Sequence, residues 1–266
     1  MGYVIPNSLY GYKFDAKVEA QCIQKWVWDW MATGSGGAQG VLIGMSGGKD
    51  SAVAAALCCN ALGNNEVRGL IMPYDSPHDS PHGEEPVYDE ATQIAIETCQ
   101  HLNMQYSIIP LCLLMDLDSS IYALHIQNDV DAIKGNIKAR LRMMCLYAIA
   151  QEMRYRVCCT SNASEIYLGY STKYGDFAGD FAPLSHLTAS QVIEVGRALK
   201  LPEHIISRPP EDGLSGKTDE ANFGFTYGQL DLYLTTGRCD DEEIKTKIEN
   251  MHSRGLHKSV PIPHLT

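Results

Sequence analysis

The residues with the clearest chemical use are Ser46-Gly47-Gly48-Lys49-Asp50-Ser51. They stand between an apolar run, 41–45, and an Ala-rich stretch, 52–62. That order predicts strand, tight turn and helix. Paired glycines let a backbone approach a ligand in conformations a β-carbon forbids. The unpaired N–H groups and positive dipole end of the helix face the same spot, which suits phosphate. A Walker A loop spaces its glycines further apart and follows its Lys with Ser or Thr. Here Asp50 follows Lys49, so the turn is a phosphate cradle of another kind, with a carboxylate placed to hold Mg2+.

The elements that must position this turn are legible in the periodicity. Apolar runs at 67–72, 106–109 and 157–160 predict three more strands, the first continuous as parallel strands are. Helical spacing of Val18, Cys22, Ile23, Trp26, Val27 and Trp30 predicts a helix over 15–31. Further helices are expected over 52–62, about 87–101 and 130–153. The last carries Val130, Ile133, Ile137, Leu141, Met144 and Ala148 as its apolar stripe and Lys134, Lys138, Arg140 and Arg142 on the other face. The apolar segment 111–126 fits either element type, and helices near 188–199, 227–235 and 240–251 follow. Alternating strands and helices predict an α/β fold, a doubly wound parallel sheet with extra C-terminal helices. Ligands of such sheets lie at strand carboxyl ends, which brings Asp50 and Glu165 towards a common Mg2+.

One unit spanning 1–266 is expected: an arm at 1–14, a nucleotide-binding core at 15–185, and a helical part at 186–266 with a loop, 208–221, and a tail. In the segment 73–86, four prolines exclude helix and central strand, and Asp75-Ser76-Pro77-His78 repeats as Asp79-Ser80-Pro81-His82. An exposed mobile loop, a lid over the nucleotide and a His/Asp metal site are its three readings.

A net charge of −11 argues against general nucleic-acid binding. No apolar run reaches the roughly 20 residues that cross a bilayer. With no signal-peptide pattern, a cytoplasmic location is expected. The nine cysteines lack C-x-x-C spacing and are expected to be reduced, mostly core thiols.

The turn S-G-G-x-D-S resembles the pyrophosphate loop of the ATP pyrophosphatase superfamily. Alone it leaves GMP, asparagine and argininosuccinate synthetases and tRNA thiolases open. The stretches G-N-I-K-A-R-L-R-M (135–143), T-S-N-A-S-E (160–165) and G-Y-S-T-K-Y-G-D (169–176) are similar to NAD synthetase, as are Asp180 with Pro183, Lys217-Thr218-Asp219-Glu220 and His257-Lys258. The resemblance covers about residues 15 to 260. With no room for a glutaminase-type domain, the ammonia-dependent form is expected.

This resemblance implies an adenine nucleotide alpha hydrolase-like fold. It also implies a ligase turning deamido-NAD, ATP and ammonia into NAD, AMP and pyrophosphate through an adenylated carboxylate. ATP contacts are implied at Gly44, Met45, Ser46, Gly47, Gly48, Lys49, Asp50, Ser51 and Thr160; deamido-NAD contacts at Arg140, Lys173, Asp180, His257 and Lys258; Mg2+ ligands at Asp50 and Glu165. Asp50, Lys173 and Asp180 are the expected catalytic residues, and a homodimer without nucleic-acid or membrane partners is expected. At Ala189 many relatives carry a Lys on the ATP phosphate, and Pro210-Glu211 replaces their usual Ser or Thr. Lys217, with Arg208 as second choice, is the expected source of the missing charge. The competing readings are a tRNA-modifying ATP pyrophosphatase and a nucleotide-binding sensor that has lost catalysis.

Overall fold

The computed structural model describes residues 13–74, 88–208, 218–260, 262 and 264. Most of the arm, the repeat segment 75–87 and residues 209–217, Lys217 among them, lie outside the described residues.

Four parallel strands, β1 (Gly40–Met45), β2 (Val67–Ile71), β3 (Gln105–Ile108) and β4 (Tyr155–Cys158), form one sheet in the order β3-β2-β1-β4. Val41 is in register with Val67 on one side of β1 and with Arg156 on the other. The helices in chain order are α1 (Ala16–Thr33), α2 (Lys49–Leu62), α3 (Glu90–His101), α4 (Leu117–Ala123), α5 (Val130–Met153) and α6 (Ala163–Leu168). After them come α7 (Ala189–Ala198), α8 (Glu203–Ile206), α9 (Asp219–Phe223), α10 (Tyr227–Thr236) and α11 (Glu242–Gly255).

Alternation along β1 decides which helix covers which face. Val41, Ile43 and Met45 pack with α1, α2, α3 and α7. Leu42, with Leu70 and Val157, packs against Met143, Leu146 and Ala150 of α5. Both faces are thus covered, which makes the sheet doubly wound. The chain moves outward from β1 through β2 to β3, then crosses by α5 to β4 on the other side. The order therefore reverses between β1 and β4, and the crevice at their carboxyl ends is where such sheets bind ligands. A third apolar cluster, with Leu168, Phe223, Tyr227, Leu230 and Ile248, joins α6 to the C-terminal helices. Gly169, left-handed at the end of α6, lets that helix meet α11: a β-carbon on it would stand 2.4 Å from the Gly255 Cα.

Several expectations shift. α2 begins at Lys49, so Lys49, Asp50 and Ser51 are its first turn and the loop ends at Gly48. β4 ends at Cys158, leaving Thr160 beyond it. α3 begins only at Glu90, where Asp89 accepts the Thr92 N–H as its cap. In α1, Val18, Cys22 and Trp26 face outward, and Ala20, Ile23 and Val27 are buried. In α5 the expected stripe is out of phase: Met144 and Ala148 are exposed, and Arg142 turns inward to donate to the Met72 carbonyl at 3.2 Å. The thiols of Cys58, Cys59, Cys99, Cys145, Cys158 and Cys159 are buried as expected.

Candidate functional site

The turn at the end of β1 is ordered by its own serines. Ser46 Oγ accepts the Gly48 N–H at 3.2 Å, and Ser51 Oγ donates to the Gly48 carbonyl at 2.9 Å. Gly47 has φ +78°, and a β-carbon there would come within 2.1 Å of the Ala91 carbonyl oxygen. Only glycine meets both demands. Gly48, the N-cap of α2, has no side chain to occupy the first-turn N–H groups, which leaves them for an anion.

Across the crevice, the segment after β4 starts α6 with a capping box. Asn162 Oδ1 accepts the N–H groups of Ser164 and Glu165, and Glu165 Oε2 accepts the Asn162 N–H at 3.1 Å. The same Asn162 donates its amide Nδ2 to Asp50 Oδ1 at 2.9 Å. Both carboxylates thus touch one fully buried residue. Burial, and then the neighbouring Asp50 charge, push the Glu165 carboxyl up to about 8. Such a pair calls for a cation.

Lys49 supplies part of that charge, with Nζ 2.8 Å from Asp50 Oδ2 and 5.7 Å from the Tyr227 ring centroid. Burial opposes its ammonium, but Asp50, Glu165 and Asp219 outweigh that and raise its pKa. Tyr227 in turn donates its hydroxyl to Asp219 Oδ2 at 3.0 Å. Ala189, where a longer cationic residue was considered, is buried in the same apolar cluster as Tyr227 and donates its N–H to Ser164 Oγ.

A second group gathers where α5, the loop after α6 and the chain end meet. Arg140 Nε donates to the Lys173 carbonyl at 3.3 Å, and Lys173 Nζ to the His257 carbonyl at 2.7 Å. Lys258 Nζ donates to the Gly169 and Ser171 carbonyls, both at 2.7 Å, so this residue is pinned rather than loose. Asp180 belongs to neither network. It lies beside β4, accepting the Val157 N–H at 2.7 Å, and lines a cavity of about 470 Å³ with Tyr147, Gln151 and Arg154. That cavity does not include the phosphate turn; its Tyr147 is shared with a second, about 420 Å³, lined by Arg140, Met144 and Tyr174. Arg208, the alternative cation, stands 3.4 Å from Glu90 at the start of α3.

Sequence reasoning gave no role to Asn162, although its spacing to Glu165 is a helix-start signature. Asp176 was also passed over. It accepts the Thr172 N–H at 2.6 Å, and burial raises its carboxyl above the ordinary range.

A glycine turn and two carboxylates at the switch point of a parallel sheet define a nucleotide-using α/β enzyme. A family model described as NAD synthase matches residues 21–260. An NH3-dependent NAD+ synthetase of Syntrophomonas wolfei is 39% identical over 87% of this chain and 89% of its own. The structure of an NMN synthetase from Francisella tularensis superposes with a TM-score of 0.83 at 34% identity, covering 95% of this chain and 99% of that one. An NH3-dependent NAD synthetase from Campylobacter jejuni gives 0.73 at 27% identity, covering 96% of this chain and all of that one. The chain belongs to the NAD synthase family, ATP-dependent carbon–nitrogen ligases of NAD biosynthesis. That membership leaves the tRNA-modifying and sensor readings without support.

Proposed function

We propose that this chain amidates the nicotinate carboxylate of deamido-NAD with ammonia, forming NAD, AMP and pyrophosphate. The observation that carries this is Asn162, which holds Asp50 and Glu165 together beside the phosphate turn. A carboxylate has no usable leaving group, so its oxygen must first take AMP from ATP. Gly47, Gly48 and the first turn of α2 cradle the departing pyrophosphate, with Ser46 and Ser51 holding the turn and Gly44, Met45 and Thr160 lining the nucleotide. Asp50 and Glu165 would hold Mg2+. Among the described residues no three His, Cys, Asp or Glu side chains form a metal cage. Two carboxylates fit Mg2+, an ion that proteins usually hold by one or two carboxylates. When bound it neutralises charge on the leaving phosphates.

Arg140, Lys173, His257 and Lys258 bind the anionic dinucleotide, and Asp180 faces the pyridinium or the incoming ammonia. The protein works as a cytoplasmic homodimer. Among the described residues no helix is long and apolar enough to cross a membrane.

A second reading keeps the chemistry and shortens the substrate. The likeness to the Francisella NMN synthetase, with a TM-score of 0.83 against 0.73 for the Campylobacter enzyme, favours nicotinate mononucleotide as acceptor. One experiment tests both. Purified protein, Mg-ATP and ammonium are incubated with deamido-NAD or nicotinate mononucleotide, and AMP and the two amides are followed by chromatography. Amide and AMP in equal amounts support the reaction, and the faster substrate selects the reading. Absence of AMP with both overturns it.

A further inference from the structure

The carboxylate of Asp50 has no free oxygen. Oδ1 accepts Asn162 Nδ2 at 2.9 Å, and Oδ2 accepts Lys49 Nζ at 2.8 Å. A divalent ion that binds Asp50 must contend with one of these donors. The Asn162 amide is fixed, because its own oxygen is tied to the N–H groups of Ser164 and Glu165 at 3.0 and 3.1 Å. Lys49 instead holds Asp50 at the end of a flexible four-carbon stem. A second lone pair on Oδ2 does not remove the conflict. The ion and the ammonium would be like charges in contact, in a place where the Lys49 side chain is only 6% exposed.

We propose that Lys49 exchanges partners during the cycle: it neutralises Asp50 in the empty site, then yields Asp50 to the metal and turns its ammonium to the nucleotide phosphate. The direction of the turn follows from its position. Lys49 is the first residue of α2, so its backbone stands where the helix N–H groups meet the anion. The Tyr227 ring, its centroid 5.7 Å from Lys49 Nζ, limits where the stem can go, and Ala189 adds no charge. Lys49 thus supplies, from inside the turn, the phosphate-directed cation that position 189 lacks. The lysine is then a competitor of the metal and a ligand of the nucleotide at once, which a structural ion pair is not. This inference rests on the proposed use of Asp50 and Glu165 by a divalent cation.

The test uses the full chain, free of nucleotide, with Mn2+ as spectroscopic probe followed by electron paramagnetic resonance. Lys49→Met removes the competitor, so Mn2+ should bind about tenfold tighter. Lys49→Arg keeps the charge in a two-pronged donor suited to a carboxylate, so Mn2+ should bind several-fold weaker. Binding of a non-hydrolysable ATP analogue, measured by calorimetry in the presence of Mg2+, should weaken about tenfold in Lys49→Met. Unchanged Mn2+ affinity in either variant overturns the exchange, and so does unchanged affinity for the analogue. If Lys49→Met does not fold, Lys49→Arg decides: equal or tighter Mn2+ binding overturns the proposal. None of these readings needs turnover. A wild-type protein that forms no AMP with either nicotinate substrate would sink the functional reading while leaving the Mn2+ result to judge Lys49.

Discussion

At the scale of single residues, the site depends on one neutral side chain. Asn162 uses its amide oxygen to cap α6, its amide nitrogen to hold Asp50 and its backbone N–H to hold the Glu165 carboxylate, so two carboxylates from different strand ends meet at one residue. Asn162→Ala should cost roughly 2 kcal/mol of stability, through a lost cap and unsatisfied buried groups, read from urea denaturation. Mn2+ affinity should fall roughly 10- to 100-fold, as for other residues that orient metal ligands. A variant of wild-type Mn2+ affinity would show that Asp50 is placed without it. Asp176 gives a pH signature. Burial raises its carboxyl in the folded protein, while backbone N–H groups and Lys258 pull the other way. Above an unfolded value near about 4, the native state keeps a proton that the unfolded chain has released. Stability should therefore fall as pH rises from that point through the raised value. Asp176→Asn removes the dependence, and melting temperatures of the two proteins should diverge, with wild type losing ground as pH rises above about 4. Parallel curves would refute it.

At the scale of elements, the sheet was legible because buried parallel strands are continuous apolar runs, and the run 41–45 is β1 but for one residue. The turn was legible because Gly-Gly followed by Ala-rich helix has few other uses. What failed was phase. α5 carries apolar residues on two faces, so helical spacing alone offers two stripes. The buried one runs through Met143, Leu146 and Ala150, whereas the expected one ends in exposed Met144 and Ala148. Arg142 was placed on the face opposite the apolar stripe because one sequence gives no sign that the Met72 carbonyl needs a donor. The cluster of Arg140, Lys173, His257 and Lys258 came from resemblance, since no periodicity links residues so far apart in the chain. The turn itself makes a sharper prediction. Gly47→Ala would force a side chain into a left-handed backbone and into the Ala91 carbonyl of α3, displacing that helix. A loss of about 3 kcal/mol or more is expected, measured by denaturant titration. Native stability in that variant would mean that α3 yields at little cost.

At the scale of the whole molecule, the proposed second copy is assigned to the exposed side of α5. Met144 and Tyr147 of α5 are 55% and 39% exposed, and Tyr174, which lines the same pocket from the loop after α6, is 61% exposed, an apolar patch of the kind that marks an interface. The cavity of Asp180 and the pocket of Arg140 share Tyr147 on that face, so the proposed dinucleotide residues line it from two directions. Closed two-fold symmetry is the common way to cover such a surface, because one patch serves both copies. Met144→Glu combined with Tyr147→Glu would place two charges per copy against their counterparts, which such an interface does not tolerate. Sedimentation should then show wild type at twice the chain mass and the double variant at the chain mass. Asp50, Glu165 and the phosphate turn lie away from these cavities, so the variant should keep Mn2+ and ATP-analogue binding while amide formation collapses. A monomeric wild type, or a monomeric variant of full activity, would remove the second copy from the site. Loss of nucleotide binding together with dimerisation would instead mean that the α5 face supports the fold of the crevice, with no separate part in holding the second substrate.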